Sequence, residues 1–238
     1  MKDFQYIIVG QGLAGSLLAH QLQTRSKSVL LVDARHERAA TKIAAGLINP
    51  VTGRRLVKSW QIDELYAFAK SFYAEMAVKF GTEFFLSQPI LKVFQNANEE
   101  VDWLVRSGED GYEDLLLDCK TAGTYHQKIK PVHGVGRLQY TAQIRVATLI
   151  DCFRKQFVEQ SCLLEEAFDY GAISFRESGI HYKEYTAEKI IFCEGYQAVF
   201  NPWFQYLPFE LAKGEVLLVR IPKANFEEIL KYKIFIVQ

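Results

Sequence analysis

Apolar and polar residues follow two periods along this chain, and the switches between them outline an alternating α/β order. Tyr6–Val9 is a short apolar run of the kind found in a buried parallel strand. Leu18, Ala19 and Leu22 then recur on one helical face, Thr24–Ser28 is a polar turn, and Val29–Val32 is a second apolar run. After the polar stretch Ala34–Lys42, Gln61–Phe80 reads as a helix with Leu65, Phe68, Phe72 and Met76 on the stripe facing a core. Phe84–Leu86 and Ile90–Phe94 read as strands around Pro89, and Glu99–Ser107 as a helix turning Val101, Leu104 and Val105 inward. Tyr112–Val135, with His126, Pro131 and His133, reads as irregular structure with short strands. Ala142–Gln160 reads as a helix that buries Val146, Leu149, Ile150, Phe153 and Phe157. Between Cys162 and Tyr185 the pattern gives a strand and then two more meeting at Glu177–Ser178–Gly179. Lys189–Cys193, Gly214–Arg220 and Lys233–Val237 read as further strands. The last of these runs into Gln238 without a turn, so the expectation is the N-terminal portion of a longer protein.

The first strand is followed by Gly10, Gly12 and Gly15, a G-x-G-x-x-G turn opening the first helix. The first glycine permits a tight turn, the second lets backbone approach a pyrophosphate, and the third lets helix and strand pack closely. Asp33 ends the second strand near the ~20-residue offset at which an acid reaches ribose hydroxyls. The sequence therefore reads as a dinucleotide site. The acid would repel the 2′-phosphate of NADP, and an NAD-dependent dehydrogenase is a competing reading.

Lysine plus arginine and aspartate plus glutamate number 28 each, so no global field draws the chain to nucleic acid or anionic lipid. No run approaches the ~18 apolar residues of a membrane span, and Gly10, Gln11 and Gly12 interrupt the N-terminal stretch that would otherwise suggest a signal peptide. Cys119, Cys152, Cys162 and Cys193 are scattered, with no metal-ligand spacing. They read as inert thiols of a cytoplasmic protein, and no metal is expected.

The fingerprint, Ala44–Pro50 (AAGLINP), Ile190–Gly195 (IIFCEG) and Leu211–Val219 (LAKGEVLLV) occur in an order that resembles FAD-dependent oxidoreductases of the D-amino-acid oxidase type, the group like glycine and sarcosine oxidases. The resemblance implies FAD as cofactor and an α/β architecture. A Rossmann-like FAD-binding domain, 1–80 with 140–208, would join an α+β substrate domain, 81–139 with 209–238, built on a mixed or antiparallel sheet. Gly10, Gly12, Leu13, Ala14 and Gly15 would face the pyrophosphate, with Asp33 and Ala34 at the adenosine ribose. Thr41 would bond a phosphate or the ring edge, or else cap a helix. Ala44, Ala45, Gly46 and Leu47 would pass beside the isoalloxazine, and Gly195 would turn close to the dinucleotide. Cys193 and Glu194 depart from the family's commonest form there.

Arg54, Trp60, Arg137 and Tyr140 are the substrate candidates, although a basic cluster such as Arg54, Arg55 and Lys58 after a loop is more often a solvated face than a binding one. The implied reaction is oxidation of a primary or secondary amine of an amino-acid-like substrate by hydride transfer to the flavin. The alternatives are 2-hydroxy-acid oxidation on the same fold and an FAD-binding fragment without turnover. Family members continue with a segment that carries another glycine-rich flavin contact and a carboxylate-gripping arginine.

Overall fold

The computed structural model describes residues 2–35, 37, 39–119, 133–177, 179–222 and 226–237. His126, Pro131 and Ser178 of the sequence reading lie outside them. The chain divides into two units, Met1–Ala44 with Val146–Val216, and Ala45–Arg145 with Leu217–Gln238. Residues 45–80, read from sequence with the cofactor domain, lie in the second unit.

The first unit is built on a six-stranded sheet in the order Leu163–Leu164, Val29–Val32, Lys2–Val9, Tyr185–Phe192, Gly179–Tyr182, Ile173–Arg176. The first four strands are parallel and the last two add an antiparallel hairpin. Ile7, Ile8, Val9 and all of Val29–Val32 are buried, as strands covered on both faces must be. Register then matters for function. Val9 lies beside both Val32 and Phe192, so three strands end level, and Gly10, Asp33 and Cys193 emerge along one edge. The first strand starts at Lys2, earlier than its apolar run, because Lys2 pairs with Tyr185 on an equally long neighbour.

Two helices complete the part of this unit that matters below. Leu13–Gln23 buries Gly15, Ser16, Ala19 and His20, with Leu18 and Leu22 only half-buried. Val146–Glu159 buries all five apolar positions expected of it, together with Arg154. The helix expected over Ala142–Gln160 is shorter at its start, since Ala142–Ile144 is a strand. It hydrogen-bonds to Leu47–Ile48 on one side and Phe85–Ser87 on the other, and this pairing overrides the local helical pattern.

The second unit holds that three-stranded sheet, a short hairpin of Val51–Thr52 and Val57–Lys58, and a five-stranded mixed sheet. The order of the latter is Phe235–Ile236, Ile229–Lys231, Ile90–Val93, Val135–Leu138, Leu116–Cys119. Only Ile229–Lys231 against Ile90–Val93 is parallel. Three expectations are corrected in the second unit and where the chain enters it. In helix Ile62–Phe80 Phe72 and Met76 are buried as expected, but Leu65 and Phe68 are exposed, and Ile62, Tyr66, Ala69 and Tyr73 complete the inward seam. In helix Ala97–Ser107 the inward residue is Trp103, 1% exposed, while Val101, Leu104 and Val105 face outward. One indole fills the space expected to take three aliphatic side chains. Gly214–Arg220 is not a strand: no described strand pairs with it, and Leu218 is 93% exposed. The strand pattern fits that segment, but a ladder needs a partner.

No helix among the described residues is long and apolar enough to cross a membrane.

Trp103 is seated directly on the strand Val135–Leu138. A β-carbon on Gly136 would lie 2.3 Å from its Cε2 atom. Gly136→Ala is expected to destabilise the protein by about 2 kcal/mol through overpacking, read as a lower urea midpoint. Adding Trp103→Phe should recover part of that loss, because the smaller ring vacates the contact.

Candidate functional site

At the level edge of the six-stranded sheet the backbone approaches itself more closely than any side chain would allow. The Gly10 amide donates to the Val32 carbonyl at 2.9 Å, and φ of +97° carries the chain across the strand end. A β-carbon on Gly10 would sit 2.4 Å from the Cys193 carbonyl oxygen, and one on Gly15 would sit 1.9 Å from the Gly10 oxygen. Turn, helix and third strand therefore interlock through bare backbone. Gly12 is tight against a side chain, since its β-carbon would be 3.2 Å from Thr41 Oγ1. The N-terminus of helix Leu13–Gln23 points out of this turn, where amides and the helix dipole favour an anion.

The turn opens on a cavity of about 980 Å³ within the first unit, near the top of the range for ligand sites. Gly10, Gly12, Leu13, Ala14, Asp33, Ala34, Thr41 and Gly195 all line it, and Gly15 lies beneath the turn. Gly195 has φ of +58° and open space where its β-carbon would be, so its conformation, not crowding, calls for glycine. Thr41 accepts a hydrogen bond from the Leu13 amide at 3.3 Å. Its hydroxyl thus takes one amide of a neighbouring helix's first turn, while the N-cap of its own short helix is Ala39.

Asp33 lines this cavity, held by three donors among the described residues. The Gln11 amide bonds Oδ2 at 2.9 Å, and the Arg35 amide (2.8 Å) and Arg154 Nη1 (2.9 Å) bond Oδ1. Burial alone would raise the carboxyl's pKa, but these amides and the Arg154 guanidinium outweigh it and hold it below the usual carboxylate range. Arg154 Nη1 also donates to Gln11 Oε1 at 2.9 Å, and Gln11 Nε2 donates to Ser16 Oγ and the Ile150 carbonyl. The sequence reading gave no site role to Gln11 or Arg154. Gln11 is one of the unspecified positions of the glycine motif. The one available signal for Arg154 is a charged residue on the same helical face as Ile150 and Phe157.

Part of the cavity lining is aromatic. Phe168, Tyr170, Phe192 and Phe204 contribute to it, with Trp203 packed behind Tyr170 and Phe192 at ring-centroid distances of 5.9 and 5.6 Å. The Tyr170 hydroxyl donates to Glu194, whose other oxygen accepts from Asn201 Nδ2 at 2.7 Å. Burial, and then the Glu194 carboxylate, push the Tyr170 phenol well above its ordinary value, so it serves as a donor and not as a base. Burial and the same carboxylate raise the Cys193 thiol, which argues against a nucleophilic role.

Ala44, Ala45, Gly46 and Leu47 are not among the residues lining this cavity. Gly46 has its own local reason: φ of +70°, with a β-carbon that would fall 2.0 Å from the Ile144 carbonyl. Leu47 pairs with Gln143.

The substrate candidates all belong to the second unit and are not gathered at one point. Tyr140 lines a separate cavity of about 360 Å³ with Tyr66, Asp63 and Glu113. Arg54 is exposed in a turn, Trp60 is 80% exposed, and Arg137 is ion-paired to Glu228 at 2.7 Å. His133 is half-buried, and His126 lies outside the described residues. No group of three metal-ligating side chains occurs among the described residues.

A family model described as FAD dependent oxidoreductase matches residues 5–237. Among solved structures, glycine oxidase from Geobacillus kaustophilus superposes with a TM-score of 0.65 at 18% identity, covering 84% of this chain and 57% of that one. Glycine oxidase from Bacillus cereus ATCC 14579 gives 0.59 at 22% identity, covering 79% and 55%. The FAD-bound, dithionite-reduced L-α-glycerophosphate oxidase from Mycoplasma pneumoniae gives 0.61 at 15%, covering 97% and 65%. At these identities the likeness is one of fold. This chain spans little more than half the length of the two glycine oxidases.

Because the Asp33 carboxyl is held below its unfolded value, its contribution to stability is complete above about pH 4 and fades as pH falls through the lower folded value. Asp33→Asn should cost about 2 kcal/mol near neutral pH. The gap from wild type should close on acidification below about pH 4, as measured by urea unfolding across that range.

Proposed function

This chain belongs to the FAD dependent oxidoreductase family, with FAD as its cofactor, and from that premise we propose that it takes part in oxidising a primary or secondary amine of an amino-acid-like substrate. The observation that carries the cofactor part of the reading is the bare-backbone turn beside an ionised, triply bonded Asp33 in one cavity. The fit is chemical. A β-carbon at Gly10 or Gly15 would close the turn by collision, and Gly12 brings main chain to the helix N-terminus, where a pyrophosphate finds donors. Asp33 offers an acceptor for a ribose hydroxyl, and Ala34 lines the cavity beside it.

When bound, FAD supplies a two-electron acceptor for hydride from the substrate carbon. The chain's own groups bind and orient. The glycine turn holds the diphosphate, Asp33 holds the adenosine, and the Tyr170–Glu194–Asn201 cluster stiffens the turn at Gly195. Phe168, Tyr170 and Phe192 give the cavity an aromatic lining. On this proposal the unit of Met1–Ala44 and Val146–Val216 carries the cofactor, and the second unit carries the substrate layer with Arg54, Trp60, Arg137 and Tyr140. Cys152, Cys162 and Cys193 are free thiols, which fits a cytoplasmic setting.

The amine reading rests on the two glycine oxidases, whose substrate class is carried over here as part of the proposal. A second reading, oxidation of a hydroxyl-bearing substrate, is favoured by the glycerophosphate oxidase, whose superposition extends over 97% of this chain.

The test is to incubate the chain with FAD, remove free cofactor and record the visible spectrum. Retained flavin bands are expected. Anaerobic addition of glycine, sarcosine or D-amino acids should then bleach them if amines are oxidised. Bleaching by 2-hydroxy acids or glycerol phosphate alone would move the assignment to the second reading, and a colourless protein would refute cofactor retention by this chain.

A further inference from the structure

Arg154 is 7% exposed on a helix face otherwise made of Leu149, Ile150, Phe153 and Phe157. An apolar side chain would pack there without removing a guanidinium from water, and a buried ion pair is by itself weak support for stability. The Arg154 Nε atom is moreover buried without a hydrogen-bond partner, an arrangement that costs free energy. What the residue gains in return is local. Its Nη1 contacts Asp33 Oδ1 and Gln11 Oε1, both at 2.9 Å, and its Nη2 contacts Glu165 Oε2 at 3.0 Å. Arg154, Gln11 and Asp33 all line the 980 Å³ cavity.

The acceptor count on Asp33 gives the arrangement its meaning. An ionised carboxylate has about four acceptor positions. Among the described residues, Oδ1 accepts from Arg35 N and Arg154 Nη1, and Oδ2 accepts only from Gln11 N. The remaining position is on Oδ2. Two of the three bonds depend on the segment around the glycine turn and on Arg154, and Arg154 also grips the Gln11 side chain.

Resting on the cofactor reading above, we infer that Arg154 is a positioning residue: it holds the Asp33 carboxylate in the orientation that presents Oδ2 to a ribose hydroxyl of the adenosine half. It acts through Asp33 and Gln11 and not by contact with the reacting end of the cofactor. Without it, Oδ1 loses a charged donor, the carboxylate can rotate about its last bond, and the free acceptor is no longer aimed at one place.

A purely structural arginine would weaken every ligand alike, so the test compares ligands that differ by one hydroxyl. Dissociation constants are measured by calorimetry for FAD, ADP, 2′-deoxy-ADP and 3′-deoxy-ADP on wild type, Arg154→Met, Arg154→Lys and Asp33→Asn. A charged hydrogen bond predicts that wild type prefers ADP to one deoxy analogue by roughly tenfold or more. Arg154→Met should bring that ratio within about twofold of unity, as should Asp33→Asn, with Arg154→Lys between, since one ammonium cannot reproduce the forked contact. If Arg154→Met fails to fold, the lysine variant decides the matter by the same ratio. A wild-type ratio in a folded Arg154 variant overturns the inference, as does wild type that binds FAD with no preference among the ADP analogues. Wild type that binds neither FAD nor ADP overturns the cofactor reading itself, and this inference with it.

Discussion

The first unit depends on a carbonyl occupying the place of a missing side chain. The Gly10 oxygen lies where a β-carbon on Gly15 would be, and the Cys193 oxygen lies against Gly10 itself. These approaches let the helix start immediately at the strand end, so that its N-terminal amides face the cavity and not the sheet. They are available only because Lys2–Val9, Val29–Val32 and Tyr185–Phe192 run parallel and stop level. Sheet register, glycine spacing and the anion-binding helix end thus form one geometric condition, and relaxing any of them would separate Asp33 from the turn it faces.

That condition was legible in the sequence because it is local. The strand, turn, helix and strand from Tyr6 to Asp33 appear where the apolar periods and glycines place them, with only the start of the first strand moved to Lys2. Elements set by distant partners were less legible. Ala142–Ile144 carries a helix-compatible pattern and becomes a strand between two neighbours from earlier in the chain. Ile229–Lys231, not foreseen, is a strand because Ile90–Val93 offers it a parallel partner. Gly214–Arg220 shows the converse, a strand pattern that no described strand pairs with.

Side-chain placement obeys the same division. A stripe of Val101, Leu104 and Val105 outscores a lone Trp103 on hydrophobic pattern, yet the indole is the residue that fits over Gly136. Shape complementarity with a strand far along the chain is not written in local periodicity. Arg154 was passed over for a related reason: its meaning lies in Asp33 and Gln11, which are distant in sequence and adjacent in space. The substrate candidates remain the least legible part, because basic and aromatic residues near a loop carry no signature that separates a binding surface from a solvated one.

The order in which the chain is made gives the glycine turn a history. The first unit begins with Met1–Ala44 and resumes only at Val146, and the first strand pairs on one side with Tyr185–Phe192. During synthesis the glycine turn exists early, but the carbonyl of Cys193 that bounds it is added after the whole of Ala45–Arg145. Closing so long a loop is entropically slow, and contacts of this separation dominate folding time. The residues of the nucleotide cradle that are made first therefore wait, with Ile7 and Ile8 lacking one strand partner, until Tyr185–Phe192 has been added.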